Sequence, residues 1–462
     1  MKTLLLSLLF STALTLNAQY TKLLDFNGSV NGSYPYGDLY SDGTYLYGMT
    51  VNGGVNNLGV IFKILPDGTG YTKLLDFAGP SNGKNPFGSL ISVGTFLYGM
   101  TKGGGTNDFG TIFRIMPDGT RDSIIYNFGN VPDGSTPYYG STLFFDGTFL
   151  YGMCNGGGAN IKGTIFRIKP DGTAYSILLD FSGATNGAYP GGGFISDGIF
   201  LYGMTSGGGT NNFGTVFRIK PDGTGDSLLF SFTGPNGNEP INSLVSDGIF
   251  LYGMTLWGGT NNSGVIFKIK MDGTSYTKLY DFSFTSGTGP WGSLFFDGTF
   301  LYGMTYISGA NNLGTLFKIK TDGTGFTKIL DFAGSNNGAT PYGSLISDGT
   351  FLYGLTSWGG TGNFGTIFKF GLLTDESDYF EQSRINVFPN PFSTQTTLEL
   401  PCFSGNVDLN IYNSLGQVVK QISNISGQTI ILHRDKLPSG IYFLRLSQNN
   451  KIITTDKLII TD

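Results

Sequence analysis

A Leu-Tyr-Gly core returns seven times along the chain, with its tyrosine at Tyr47, Tyr98, Tyr151, Tyr202, Tyr252, Tyr302 and Tyr353. The spacing of 50 to 53 residues is the length of one four-stranded propeller blade, a unit that buries its faces only against neighbouring copies. Residues 193–232 read GFIS, DG, IFLYGMT, the loop SGGGTNNF, GTVFRIK, PDGT and GDSLLFSF. These are four strands, a to d. Asp-Gly pairs join a to b and c to d as tight hairpins, because glycine accepts positive φ and aspartate bonds its own backbone. Strands b and c carry apolar residues on both faces, which fits sheets stacked on sheets. Glycines and β-branched residues interrupt every window long enough for a helical stripe.

The two ends of the repeat region fix its closure. The heptapeptide YTKLLDF at residues 20–26 is identical to residues 71–77, the fourth strand of the first complete unit, while the last copy stops after strand c near Lys369. Seven a-b-c sets therefore meet seven d strands. The sequence predicts an all-β chain: a seven-bladed β-propeller closed by the N-terminal strand, followed by a small Ig-like β-sandwich. Closure removes the free edges that invite aggregation. The expected divisions are a signal peptide at 1–18, the propeller at 19–371, an acidic linker at 372–386 and a C-terminal domain at 387–462.

With 462 residues, more than one folded part is expected. A net charge of -5 without a Lys/Arg cluster leaves no footprint for a phosphate backbone, so nucleic acid is not an expected partner. Lys2, the apolar run from Leu4 to Leu9 and the sequence ending Asn17-Ala18 read as a cleavable secretory signal. No later segment is apolar enough to span a bilayer. Cys154 and Cys402 fall in separate expected domains and define no disulfide framework.

The C-terminal segment carries Phe388-Pro389-Asn390-Pro391-Phe392, the turn at Tyr412-Asn413-Ser414-Leu415-Gly416-Gln417, Leu437-Pro438-Ser439-Gly440-Ile441-Tyr442 and Lys457-Leu458-Ile459-Ile460. In these motifs it resembles the Por-type (type A) sorting domain of the type IX secretion system of Gram-negative bacteria. The resemblance implies handling by that machinery, export across the outer membrane, removal of the domain and attachment of the remainder to the cell surface. Through LYGMT, GGGTNNFGT and FRIKPDGT, residues 38–370 resemble the GloVer tandem-repeat family, which is defined by its repeat and implies no activity.

The inventory is poor in catalytic groups. The single histidine, His433, lies in the sorting segment, so neither a Ser/His/Asp triad nor a histidine metal site is expected in the propeller. Cys154 stands where other copies carry Thr50, Thr101, Thr205, Thr255, Thr305 and Thr356, and reads as a small buried substitute. Most aspartates sit in the hairpin turns, without the spacing of a calcium loop. No cofactor, metal or catalytic residue is expected. A base recurs in strand c (Lys63, Arg114, Arg167, Arg218, Lys268, Lys318, Lys369) and an acid in strand d (Asp25, Asp76, Asp180, Asp281, Asp331), which suggests structural ion pairs or hydrogen bonds between strands.

Function is expected where the copies differ, in the long d–a and b–c loops that share one rim. Tyr36, Phe87, Tyr138, Tyr189, Trp257, Trp291, Tyr342 and Trp358 are the ligand-binding candidates, accompanied by Asn56, Asn107, Asn212, Asn262 and Asn312. Flat rings cover apolar sugar faces and amides pair with hydroxyls. The expectation is a secreted, surface-displayed, non-catalytic binding or adhesion protein engaging a glycan or surface polymer. Two alternatives stand beside it. One is a polysaccharide-acting lyase or hydrolase using Asp38, Asp108, Asp133 or Glu239; the other is a purely structural disc whose rings only pack its loops.

Overall fold

The computed structural model describes residues 20–462 apart from 130, 139, 373–385, 401–406, 414–416, 426–428 and 449–450. The expected signal peptide, nearly all of the expected linker, and Cys402 lie outside the described residues. Among the described residues every regular element is a strand, and the chain divides into two compact units at Gly371/Leu372.

The first unit contains seven four-stranded antiparallel sheets. The first runs in the order Tyr40–Ser41, Leu46–Thr50, Val60–Ile64, Thr72–Asp76, which are its strands a, b, c and d. The seventh takes strands a to c from Ile346–Ser347, Phe351–Thr356 and Thr366–Gly371, and its outer strand is Tyr20–Asp25. The pairing runs from Tyr20↔Phe370 to Asp25↔Thr366, with a bulge between Lys22 and Leu24. Internal c–d pairs carry the same bulge, since Phe62 faces Lys73 while Ile61 faces Leu75. Identical sequence thus gives identical register at opposite ends of the repeat region.

One contact recurs at each junction between sheets. The phenylalanine just after strand d sets its ring edge-on against the strand-c phenylalanine of the next sheet, as in Phe77–Phe113, Phe128–Phe166, Phe181–Phe217, Phe232–Phe267, Phe282–Phe317 and Phe332–Phe368. The seventh pair, Phe26–Phe62, joins the last sheet to the first. Centroids lie 5.1 to 5.7 Å apart, and edge-on pairs add about 0.5–1.5 kcal/mol each to what burial supplies. The Leu-Tyr-Gly glycine makes room for this ring. A Cβ on Gly253 would sit 2.6 Å from the Phe267 ring, and its six counterparts are equally tight.

The repeat tyrosine is almost fully buried, so its hydroxyl needs a partner. It donates to the a–b turn aspartate, as in Tyr202 to Asp197 at 2.8 Å, while the other carboxylate oxygen caps the N–H groups of Ile199 and Phe200. Burial pushes the Tyr202 phenol up to about 12, and the Asp197 hydrogen bond pushes the same way. In the second copy Val93 replaces the aspartate, and Tyr98 donates to the Pro170 carbonyl instead.

Hydrogen bonds do join strand-c bases to strand d, as Arg114 Nε to Ser123 Oγ at 3.2 Å, but the register corrects the expectation of ion pairs with the strand-d acids. Lys63 faces Thr72 while Asp76 faces Val60, three positions away. Each strand-c base instead lies over an aromatic ring at the start of strand b, as Arg218 over Phe200 at 4.4 Å. Several also donate to a carbonyl in the next c–d turn, as Lys63 to Pro117 at 3.0 Å. Asp76 pairs with Lys73 of its own strand and accepts the Val55 N–H.

In the second unit, Asn386–Phe388, Gln395–Glu399 and Thr429–His433 form one sheet, and Val407–Tyr412, Val418–Ile425, Gly440–Gln448 and Lys451–Ile460 another. Their inner faces share a core containing Leu398, Leu432, Leu409, Leu444 and Leu458, which makes a small sandwich. The Asn390 side chain clasps the last strand, donating to Lys457 O and accepting from Ile459 N–H.

Gly253→Ala is expected to destabilise by about 1–3 kcal/mol, because the methyl enters the space of the Phe267 ring. Phe267→Leu alone also destabilises. In a urea-unfolding cycle the double variant should cost less than the sum of the single changes; strict additivity would show that glycine and ring do not meet.

Candidate functional site

Each d–a loop is built around a proline. The residue before it has positive φ in all seven copies: Tyr34, Asn85, Thr136, Tyr189, Glu239, Gly289 and Thr340. Its N–H donates to a carbonyl of the preceding sheet, as Tyr34 to Phe364 O at 2.9 Å and Thr340 to Leu313 O at 2.8 Å. The proline itself packs where a glycine of that sheet leaves no room for a side chain, as Pro35 on Gly365. These anchors bring d–a and b–c loops together through bridges such as Ser33↔Asn52 and Ala339↔Trp358.

The residue after the proline points its ring toward its counterparts in neighbouring copies. Trp291, Tyr342, Tyr36, Phe87 and Tyr138 form one continuous arc, with successive centroids 4.9, 4.5, 5.1 and 4.5 Å apart. Tyr36 and Tyr342 stack nearly parallel, at 13°. Burial, reinforced by neighbouring tyrosines, pushes both phenols above their usual range. The fourth and fifth copies place Gly191 and the buried Ile241 at this position, which interrupts the arc.

Tyr306, from a b–c loop, extends the arc by stacking on Tyr342 at 5.4 Å, and was not singled out in the sequence. Trp257 meets Tyr306 edge-on at 6.5 Å. Trp358 packs on Tyr34 at 4.6 Å and keeps 38% of its surface exposed. Tyr189 does not join. It precedes its proline, two positions before the arc residue, and lies against Gly207 instead. Trp358, Tyr34, Tyr36 and Phe87 line an open cleft of about 550 Å³, together with Lys84, Lys102 and Asp108.

The loop asparagines serve their own backbones. Asn56 and Asn107 donate to Phe77 O and Phe128 O, and Asn212, Asn262 and Asn312 accept from Gly208, Gly258 and Ser308 N–H. One atom of each amide thus holds its b–c loop in shape.

Beneath the arc runs a relay of hydrogen bonds from sheet to sheet. Gly193 N–H donates to Ser243 Oγ, Ser243 N–H to Ser293 Oγ and Ser293 N–H to Ser344 Oγ. Ser344 N–H then donates to Asp38 Oδ1 at 2.5 Å, and Asp38 N–H to Ser89 Oγ at 2.8 Å. Asp38 therefore takes a serine's place at the junction of the last copy with the first. Asp108 accepts from Lys84, and Asp133 from Tyr126 and the Gly129 N–H. Burial raises the Glu239 carboxyl. No hydrogen bond or ion pair joins any two of these four acids. Cys154 is fully buried at its threonine position, and burial pushes its thiol well up. Among the described residues no three of His, Cys, Asp and Glu cluster as a metal site would require.

Burial raises the Asp38 carboxyl above its ordinary range, against the lowering pull of Ser344 and Ser89. A raised folded-state value means that the neutral acid favours folding: this contribution is whole below the unfolded pKa and disappears as pH rises through the folded one. Asp38→Asn keeps the acceptor and removes the titration. Its stability relative to the unchanged protein should therefore improve as pH rises from 3 to 7 (about these limits, bracketing the carboxylate range), as followed by thermal unfolding. Asp38→Ala leaves a buried N–H unmatched and should cost about 1–3 kcal/mol at either pH.

A model of the Gloeobacter/Verrucomicrobia repeat matches residues 9–150, 92–255 and 244–382. A model of the secretion system C-terminal sorting domain matches residues 386–461. Comparison with curated proteins gave no match. Among solved structures, the chain is similar to an oligogalacturonate lyase from Vibrio parahaemolyticus, at 11% identity and a TM-score of 0.54, over 77% of this chain and 94% of that one. It is also similar to the extracellular domain of a putative hybrid two component system from B. thetaiotaomicron, at 12% identity and a TM-score of 0.49, over 96% of this chain and 57% of the other. A putative 6-phosphogluconolactonase from Bacteroides fragilis shares 16% identity at a TM-score of 0.46, over 88% of this chain and 100% of that one. The likeness to the lyase is one of fold, all-β and propeller-like. The sorting domain marks the protein for the type IX machinery, export across the outer membrane and attachment at the surface. Among the described residues no helix is long and apolar enough to cross a membrane. With the repeat model matching from residue 9 to residue 382 and the sorting model beginning just beyond it, the chain belongs to the Gloeobacter/Verrucomicrobia repeat family and ends in a secretion sorting domain.

Proposed function

We propose that residues 19–371 form a seven-bladed β-propeller closed by the strand at Tyr20–Asp25, released from a signal peptide at 1–18 and joined by a linker at 372–386 to the sorting domain. On the cell surface it acts as a non-catalytic binding or adhesion protein whose ligand is a glycan. The reading is carried by the continuous arc of five rings beside an open cleft with a part-exposed tryptophan. A packing role alone accounts for rings buried singly, whereas Trp358 lines the cleft and keeps 38% of its surface exposed. Stacked sugar rings gain from such faces because their axial C–H groups meet the electron-rich side of the aromatic.

The alternative is an extracellular enzyme acting on polysaccharide, and a lyase shares the fold. Against it stands the engagement of Asp38 by Ser344 of another copy, of Asp108 by Lys84 and of Asp133 by Tyr126, where retaining and inverting hydrolases need two acids facing one bond.

Two measurements separate these readings. On a glycan array the protein should bind a restricted set of oligosaccharides, and Trp358→Ala or Tyr342→Ala should weaken that binding by about tenfold, the equivalent of one stacked ring. Blank arrays, or variants that bind unchanged, contradict the proposal. Incubated with the bound polysaccharides, the protein should release no new reducing ends and no unsaturated products; release of either favours the enzyme.

A further inference from the structure

Resting on the binding reading, we infer that the cleft selects an acidic sugar, with Lys102 as the seat for its anionic group. Lys102 is the first residue of its b–c loop. The other copies carry Val51, Asn155, Ser206, Leu256, Tyr306 and Ser357 there, none of them charged. Its N–H donates to Asn85 O at 3.1 Å, which fixes the backbone. Its ammonium stands over the arc, 4.3 Å from the Tyr138 ring centre and 5.2 Å from that of Phe87.

The charges of the cleft do not balance. Lys84 is matched by Asp108, which receives it on both carboxylate oxygens at 2.8 and 2.9 Å. Lys102 takes part in none of the ion pairs among the described residues. Two ammonium groups and one carboxylate therefore line the cleft of a chain whose net charge is -5. A cation over a ring near solvent gains about 0.5–1 kcal/mol, and an ammonium keeps three donors for a stronger acceptor. A carboxylate or sulfate on a sugar whose face rests on the neighbouring rings supplies that acceptor, through a charge-assisted hydrogen bond. A neutral sugar gains the stacking alone.

The test uses the full chain on an array of neutral oligosaccharides, each printed beside its C6-carboxylated and C6-sulfated counterparts. Preference for one or both charged series is expected, declining with added salt. Lys102→Gln should reduce binding to the charged members by about tenfold or more, as expected for a hydrogen bond to a charged group, while sparing neutral ones. Lys102→Arg should retain the preference. Lys169→Gln, the same change of charge in an exposed c–d turn, should leave it intact. Equal binding of neutral and charged members overturns the acidic ligand while the binding reading stands. A preference that survives Lys102→Gln overturns the role of Lys102. Absence of binding to every series defeats the binding reading itself. Should Lys102→Gln fail to fold, the salt titration and Lys102→Arg still decide between charged and neutral ligands.

Discussion

The strand-c phenylalanine is the piece on which the repeat depends. It is held on one side by the glycine of its own sheet's Leu-Tyr-Gly core and on the other by the strand-d phenylalanine of the preceding sheet. The first contact accepts no larger residue than glycine, and the second sets the distance between sheets. A ring locked from both sides has little freedom to shift, because interiors packed to crystal density transmit displacement rather than absorb it. Seven copies of this wedge give seven equivalent junctions, including Phe26 on Phe62, where the outermost strand comes from the opposite end of the repeat region.

The same regularity prepares the rim. A proline set on a glycine of the preceding sheet, and a backbone N–H tied to that sheet, aim each d–a loop in the same direction. The residue after the proline is then free to vary, since it is held by its backbone rather than by its side chain. Five copies use that freedom for an aromatic ring, and the glycine after Tyr36 or Tyr342 lets adjacent loops approach backbone to backbone. The serine relay beneath supports the arrangement with hydrogen bonds that cross every junction from Gly193 round to Ser89. The proposed ligand face is thus a variable layer on an invariant frame, the usual division between scaffold and function.

Much of the frame was readable in the residues. The four strands of each copy, the aspartate turns and the partner of residues 20–26 come from period, turn chemistry and an identical heptapeptide. The rim was readable only in part. Sequence groups aromatics by loop, whereas the fold separates them by position relative to the proline, so Tyr189 falls outside the arc and Tyr306 enters it. An asparagine beside an aromatic looks the same in sequence whether its amide serves a ligand or its own backbone; the loop's carbonyl and N–H demands decide, as at Asn56 and Asn212. Strand-c bases and strand-d acids looked paired because both recur, but only register reveals that they face different neighbours. Asp38 stands in sequence only as a candidate acid, and its role as an acceptor in the relay depends on a contact 306 residues away in sequence.

The central claim is that the strand at Tyr20–Asp25 completes the seventh sheet, and amide hydrogen exchange on the intact protein tests it most directly. The N–H groups of this strand that pair with Thr366–Gly371 should exchange as slowly as those of Thr72–Asp76 in the first sheet, since the two have the same sequence and the same register. Exchange at the rate of an unpaired chain end, with Thr72–Asp76 still protected, would contradict the account.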